Sequence, residues 1–239
     1  MEIEFTRTKK NNLLLRAAYL MHKLAPFSLK WKLKFYLTLE WIFTRLARES
    51  AHRFFINESG IFRANIHDFL LNQVQPQQSV LDLGCGFGEK SFHLAAKALQ
   101  VTGIDKNQLS IIEAQRRYKK ENLTYITGDA YDFLKQNKKP FDILILSHIL
   151  EHLENRKDFI MKYKSFFKMI YIEVPDFESA DLNIFRKAID ADLQYSDDDH
   201  VVEYGRESLI NLITDCGLSI MEREYIFGVQ KYWCKTDNK

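Results

Sequence analysis

The segment Val80-Leu-Asp-Leu-Gly-Cys-Gly-Phe-Gly88 constrains this chain more than any other stretch. A short apolar run ends in three glycines at alternate positions, and residues 89–99 then read as an amphipathic helix. Glycines allow a tight turn and let a ligand approach the backbone closely. The helix that follows offers unpaired N–H groups at its start. The same alternation continues downstream. Residues 101–104, 124–127, 141–146 and 169–174 read as strands, the last closed by Pro175. Residues 108–119, a short piece near Tyr131, and 156–166 read as helices between them. Strands alternating with helices predict a parallel, doubly wound α/β sheet.

Both ends of the chain depart from that rhythm. Residues 11–56 read as one or two helices, broken near Pro26, although 29–37 alternate as a strand would. A further helix is expected over 61–74, ending before Pro76. Toward the C-terminus, 206–216 read as a helix capped by Gly217. Two strands, 218–224 and 226–233, then form a hairpin around Glu224-Tyr225. The expected division is an N-terminal helical extension or cap over 1–75 and an α/β domain over 76–239, with 176–204 as a polar loop or lid.

Composition bounds the environment. Hydrophobic residues make up 46% of the 239 positions, so there is ample material for a core. Three widely spaced cysteines, Cys85, Cys216 and Cys234, form no disulfide framework and no zinc pattern. No secretory leader and no membrane-spanning stretch is read, so a reducing cytoplasm is the expected compartment. Charge is uneven: residues 1–56 carry 11 Lys/Arg and 4 Asp/Glu, whereas the remainder is net acidic. A basic segment on an acidic body suggests two surfaces with different partners.

Ligands of a doubly wound sheet bind at the carboxyl ends of its strands. Asp82 stands at the first strand end, a carboxylate unsuited to a phosphate but suited to a cation. Asp105 ends the second, 21 positions after Gly84, the spacing at which a carboxylate meets a ribose diol. Gly128-Asp129-Ala130 ends the third, where an acid can accept from an adenine amino group. Ser147-His148 ends the fourth. Together these motifs resemble the class I S-adenosylmethionine-dependent methyltransferase family, and are especially similar to the subgroup around ubiquinone-biosynthesis and sugar or polysaccharide methyltransferases. The resemblance implies a Rossmann-like seven-stranded sheet, mostly parallel with an antiparallel C-terminal strand. It implies S-adenosyl-L-methionine as cofactor, with Asp82, Gly84, Cys85, Gly86, Gly88, Asp105, Lys106, Asp129, Ala130 and Ser147 as its binding residues. A dinucleotide is the competing ligand, but the glycines fall as GxGxG and Glu89 beside the helix start would repel a diphosphate.

Two histidines are candidate bases. His148 heads Ser147-His-Ile-Leu-Glu-His152, whose HxxEH spacing would also suit a metal, but no metal is assigned. Glu151 is expected to orient the loop by hydrogen bonds. A neutral His148 could accept a proton near pH 7. His200 belongs to an acidic-x-His-x-x-x-Tyr element similar to one found before the last helix in the same subgroup. The expected reaction is methyl transfer to oxygen of a small molecule, sugar or lipid-linked glycan, with a catalytically inactive cofactor-binding module as the alternative. In the N-terminal part, lysines and arginines interleave with Trp31, Phe35, Tyr36, Trp41, Phe43 and Phe54. Packing over the active site is the first reading and peripheral membrane contact the second. Nucleic acid ranks last, because the body is acidic. His52, Arg53, Phe54 and Phe55 are expected along the acceptor pocket.

Overall fold

The computed structural model describes residues 13–54, 67–137, 140–191, 197 and 199–237. Two helices come first, α1 (Leu13–Leu24) and α2 (Leu29–Phe54), with Pro26 between them. The alternating run 29–37 lies wholly inside α2, which is one unbroken helix of 26 residues. No Gly or Pro interrupts it, so its backbone groups can pair within the helix. Next comes α3 (Asp68–Gln73); the first part of the helix expected over 61–74 falls outside the described residues.

The sheet units follow in order: β1 (Ser79–Leu83), α4 (Glu89–Leu94), β2 (Gln100–Asp105), α5 (Gln108–Arg117), β3 (Leu123–Thr127), α6 (Ala130–Gln136), β4 (Ile143–Ser147), α7 (Arg156–Lys164) and β5 (Met169–Pro175). Then come α8 (Leu182–Ala188), α9 (Arg206–Asp215), β6 (Leu218–Ile226) and β7 (Val229–Thr236). Helix α4 is shorter than its periodicity predicts. Its last carbonyls are taken up in tighter turns, Ala96 N–H to His93 and Lys97 N–H to Leu94, before Leu99 joins Gln78 beside β1. The segment 176–204 is less irregular than its polarity suggests, since it holds a 3-10 turn at Phe177–Ser179 and α8.

Seven strands form one sheet in the order β3-β2-β1-β4-β5-β7-β6. Neighbours from β3 to β5 run parallel, and β7 is antiparallel to both β5 and β6. The chain moves outward from β1 through β2 to β3, then returns to place β4 on the other side of β1. That reversal opens a crevice between the carboxyl ends of β1 and β4. The hairpin turn lies at Phe227-Gly228, three residues beyond the expected Glu224-Tyr225. Both turn residues have positive φ, 51° and 77°. A two-residue turn of this hand needs such angles and glycine supplies one without strain, whereas Glu224-Tyr225 offers none.

Alternate strand residues feed two core layers. Leu81, Leu144, Leu146 and Ile172 face α6, α7 and α9, where Leu134, Ile160, Leu209 and Ile213 meet them. Val80, Val101, Ile143, Ile145 and Tyr171 face the other way, against Leu70 of α3 and Leu94 of α4. All are essentially inaccessible, and each such side chain contributes about 1.5–3 kcal/mol on burial. This two-sided packing fixes the strand ends, and hence the crevice, rigidly.

Candidate active site

The glycine segment leaves β1 and crosses the end of β2. Gly84 and Cys85 N–H groups both donate to the Ile104 carbonyl, at 2.8 and 3.2 Å. The Asp105 carboxylate accepts from Gly86 N–H at 2.9 Å with one oxygen and from Asn107 N–H at 2.8 Å with the other. Asp105 thus holds the loop as well as facing the crevice. Gly84 and Gly86 have φ of 71° and 51°. A Cβ on Gly84 would strike Ile149, whereas one on Gly86 would meet nothing within 4 Å. The backbone at Gly86 is therefore an open cradle against which a ligand can lie.

A cavity of about 580 Å³ opens beside this loop, and Gly84, Asp105, Lys106, Asp129, Ala130 and His148 line it. Asp129 caps α6 by accepting from the N–H groups of Tyr131 and Asp132, and its second oxygen pairs with Lys106 at 3.1 Å. Burial would raise its pKa, but Lys106 and the two backbone donors hold it below the ordinary carboxylate range. Apolar walls come from Ile149, Leu153, Phe159 and Tyr163, which the motif reading missed because they belong to loops and helices between the motifs.

Other expected cofactor residues lie behind this wall. Asp82 is buried and accepts from the Ser91 hydroxyl of α4, so it braces the loop from beneath. Burial pushes its carboxyl up to about 6. The Cys85 side chain packs against Ile111, Ala114 and Tyr125 on the far side, and burial pushes its thiol up. Gly88 accepts from the Tyr125 hydroxyl through its carbonyl, at 2.9 Å. Ser147 donates to Glu173 at 2.8 Å and accepts from Lys90.

That last contact belongs to a buried network. Glu173 near the end of β5 takes Lys90 at 2.6 Å, Ser147, and the Tyr171 hydroxyl. Burial alone would raise its pKa, but the Lys90 ammonium leads the donors that hold it well below the usual range. A lone carboxylate inside the apolar run Ile170–Val174 was the sequence signal for this network. His148, at φ 54°, sits between Glu173 and Glu151, with Nδ1 at 3.0 Å from Glu151 and Nε2 at 3.5 Å from Glu173. Burial lowers its pKa, yet the two carboxylates outweigh it and push the imidazole up to about 9. The sequence reading took this imidazole as neutral, whereas both flanking carboxylates favour its protonated form.

His148 also borders a second cavity of about 420 Å³, on the side of α2 and α8. His200 lines it, with Nδ1 at 2.9 Å from Glu203, both side chains nearly buried. The wall from α2 is Glu40, Trp41, Thr44, Arg45 and Arg48. The expected lining by Arg53 and Phe54 is corrected, since both point outward some two turns further on; Phe55 and the His52 side chain lie outside the described residues. The reason is the seat of α2 on α8, where buried Arg186 bonds Glu40 and the Leu37 carbonyl. Beside this cavity Glu151, His152 and His200 each offer a ligand atom, all within 4.8 Å of one another, and buried Glu151 Oε2 has no partner. A divalent cation would fit there, where the sequence reading assigned none.

Residues 80–168 match a family model described as a methyltransferase domain. The ubiquinone biosynthesis O-methyltransferase of Rickettsia canadensis is 40% identical over 85 residues, covering 34% of this chain and 35% of that protein. An uncharacterized RNA methyltransferase of Mycoplasma mobile is 35% identical over 115 residues, covering 45% of this chain and 31% of that protein. The chain thus spans about a third of the length of these relatives. Among solved structures, the DhpI complex with S-adenosylhomocysteine shares the fold with a TM-score of 0.58 at 18% identity, over 85% of this chain and 98% of that one.

Proposed function

The chain carries a domain of the class I S-adenosylmethionine-dependent methyltransferase family, and from that premise we propose that it transfers a methyl group to an acceptor held in the cavity between α2, α8 and His148. The observation that carries this reading is His148 itself, which borders both cavities. One adjoins the glycine loop and the other opens toward the N-terminal helix, so a donor in the first and an acceptor in the second would meet at the end of β4.

S-adenosylmethionine, the family's cofactor, supplies a methyl group already activated on a sulfonium. The open cradle at Gly86 fits a group laid against the loop backbone. Asp105 would hold the ribose and Asp129 the adenine edge, with Lys106 fixing Asp129 in place. Ile149, Leu153, Phe159 and Tyr163 would exclude water from the base. Asp82 acts from beneath, through the loop.

An acceptor hydroxyl needs alignment and a place for one proton. His200, turned by Glu203, is the side chain assigned to take it, because the two carboxylates flanking His148 favour its protonated form. The acceptor class is oxygen of a small molecule, sugar or lipid-linked glycan, following the similarity to an O-methyltransferase. The low rank given to nucleic acid lacks support, since an RNA methyltransferase is among the relatives, and RNA belongs in any acceptor screen. Calorimetry with S-adenosylmethionine, followed by transfer of labelled methyl into fractionated cell extracts, tests the reading. Saturable binding and label in one acceptor class are expected. Absence of binding at concentrations far above ordinary affinities would overturn it.

A further inference from the structure

Helix α1 is amphipathic, with Arg16 and Lys23 together on one side and leucines, alanines and Met21 over most of the rest. Nine of its 12 residues, read as LLLRAAYLMHKL, are apolar and none is buried. Leu13, Leu14 and Leu24 are 74, 83 and 73% exposed. Its apolar side is left exposed among the described residues, α2 meeting α1 at His22. The exposed apolar surface continues through the connection into α2, where Phe27, just before the helix, stacks with Trp31 and Phe35 as a ladder with ring centroids 4.2 and 5.2 Å apart. Charge along the same stretch has one sign. Residues 13–39 contain Arg16, Lys23, Lys30, Lys32 and Lys34, and no Asp or Glu. Lys32 is used internally, donating to the His22 carbonyl at 2.7 Å and so tying α1 to α2.

We propose that α1 and the first half of α2 lie in the headgroup region of an anionic lipid bilayer. Length rules out a crossing by α1, whose 12 residues span about 18 Å against a hydrocarbon core of about 30 Å. No helix among the described residues is long and apolar enough to cross. A helix with a broad apolar face and a cationic side suits lying in the plane of an anionic interface, apolar face down. The cations discriminate among occupants. A second copy would set the same uncompensated positive charge against this one, which like-charge repulsion opposes. Anionic headgroups pair with these side chains, whose stems lie along the apolar surface while their charges reach water. Trp31, Tyr19 and Tyr36 are exposed aromatics of the kind that settle at headgroup depth.

The docking deepens the proposed function, and only this step rests on that reading. Helix α2 runs from the aromatic ladder to Trp41, Thr44 and Arg45, which wall the second cavity. A bilayer under α1 would therefore present lipid-borne acceptors at the mouth of that cavity.

The test is flotation of the full-length chain with vesicles of phosphatidylcholine alone or mixed with phosphatidylglycerol. Binding to the mixed vesicles that weakens with salt, with a blue shift in tryptophan emission, is expected. Paired Leu14→Ser and Leu24→Ser changes touch only exposed positions and should weaken binding by about tenfold; paired Lys23→Glu and Lys30→Glu should abolish the preference for anionic vesicles. Absence of flotation, binding indifferent to lipid charge, or self-association that these changes dissolve without any lipid binding would overturn the proposal. Calorimetry with S-adenosylmethionine on the same preparation separates the two readings: vesicle binding without cofactor binding leaves the docking standing and removes the methyltransferase reading.

Discussion

Gly84 and Gly86 differ in what an added methyl group would meet, and that difference separates folding from binding. Gly86→Ala keeps its space but places alanine at φ 51°, a cost of about 1 kcal/mol. Melting should fall by only a few degrees while cofactor affinity in calorimetry drops at least about tenfold. Gly84→Ala meets Ile149 in addition, so its loss of stability should be the larger of the two. Asp82 makes a prediction in pH. Its carboxyl is raised from 3.8 to about 6 on folding, so the folded state binds this proton more tightly than the unfolded chain does. The ionised form therefore destabilises the fold above pH 6, and that cost fades as pH falls through 6 toward 3.8. Asp82→Asn, which can still accept from Ser91, should raise unfolding stability at pH 7 by at most about 3 kcal/mol, with the gain vanishing in acid. Urea titrations at the two pH values measure it. His200→Ala should cut turnover by about 10²–10⁴ with cofactor affinity kept. The strand-end acids and glycines were legible because each motif is local. The orientation of Asp82 and Cys85 was not, since it depends on Ser91 and on Ile111, Ala114 and Tyr125, side chains contributed by neighbouring elements.

The strands themselves declared their presence through short β-branched runs, and their parallel pairing followed from the alternation with helices, whereas their order did not. Boundaries failed where the deciding residue lay outside the pattern. The hairpin moved to Phe227-Gly228 because backbone angle, not polarity, selects the turn. Helix α2 presents Trp41 and Arg45 to the cavity where Arg53 and Phe54 had been expected, and Arg186, 146 positions from Glu40, sets that register. Arg186→Ala should therefore loosen α2 against α8. The expected result is a raised KM for the acceptor with unchanged cofactor affinity, read from steady-state kinetics beside calorimetry.

For the molecule as a whole, the sheet order places both cavities at one crevice and leaves His148 between them. A ligand that binds the folded chain alone must stabilise all of it. S-adenosylhomocysteine at about a hundred times its dissociation constant should add about 2.7 kcal/mol, a thermal shift of about 5–10 °C for a chain of this size, and its removal should reverse the shift. The tip of the C-terminal hairpin, Phe227 to Val229, reaches the second cavity and meets there the wall contributed by α2. If this cavity holds the acceptor as proposed, α2 and the hairpin tip would set acceptor choice and the strand ends between them would hold the donor. Exchange of either wall should then change the acceptor taken and leave cofactor affinity unchanged.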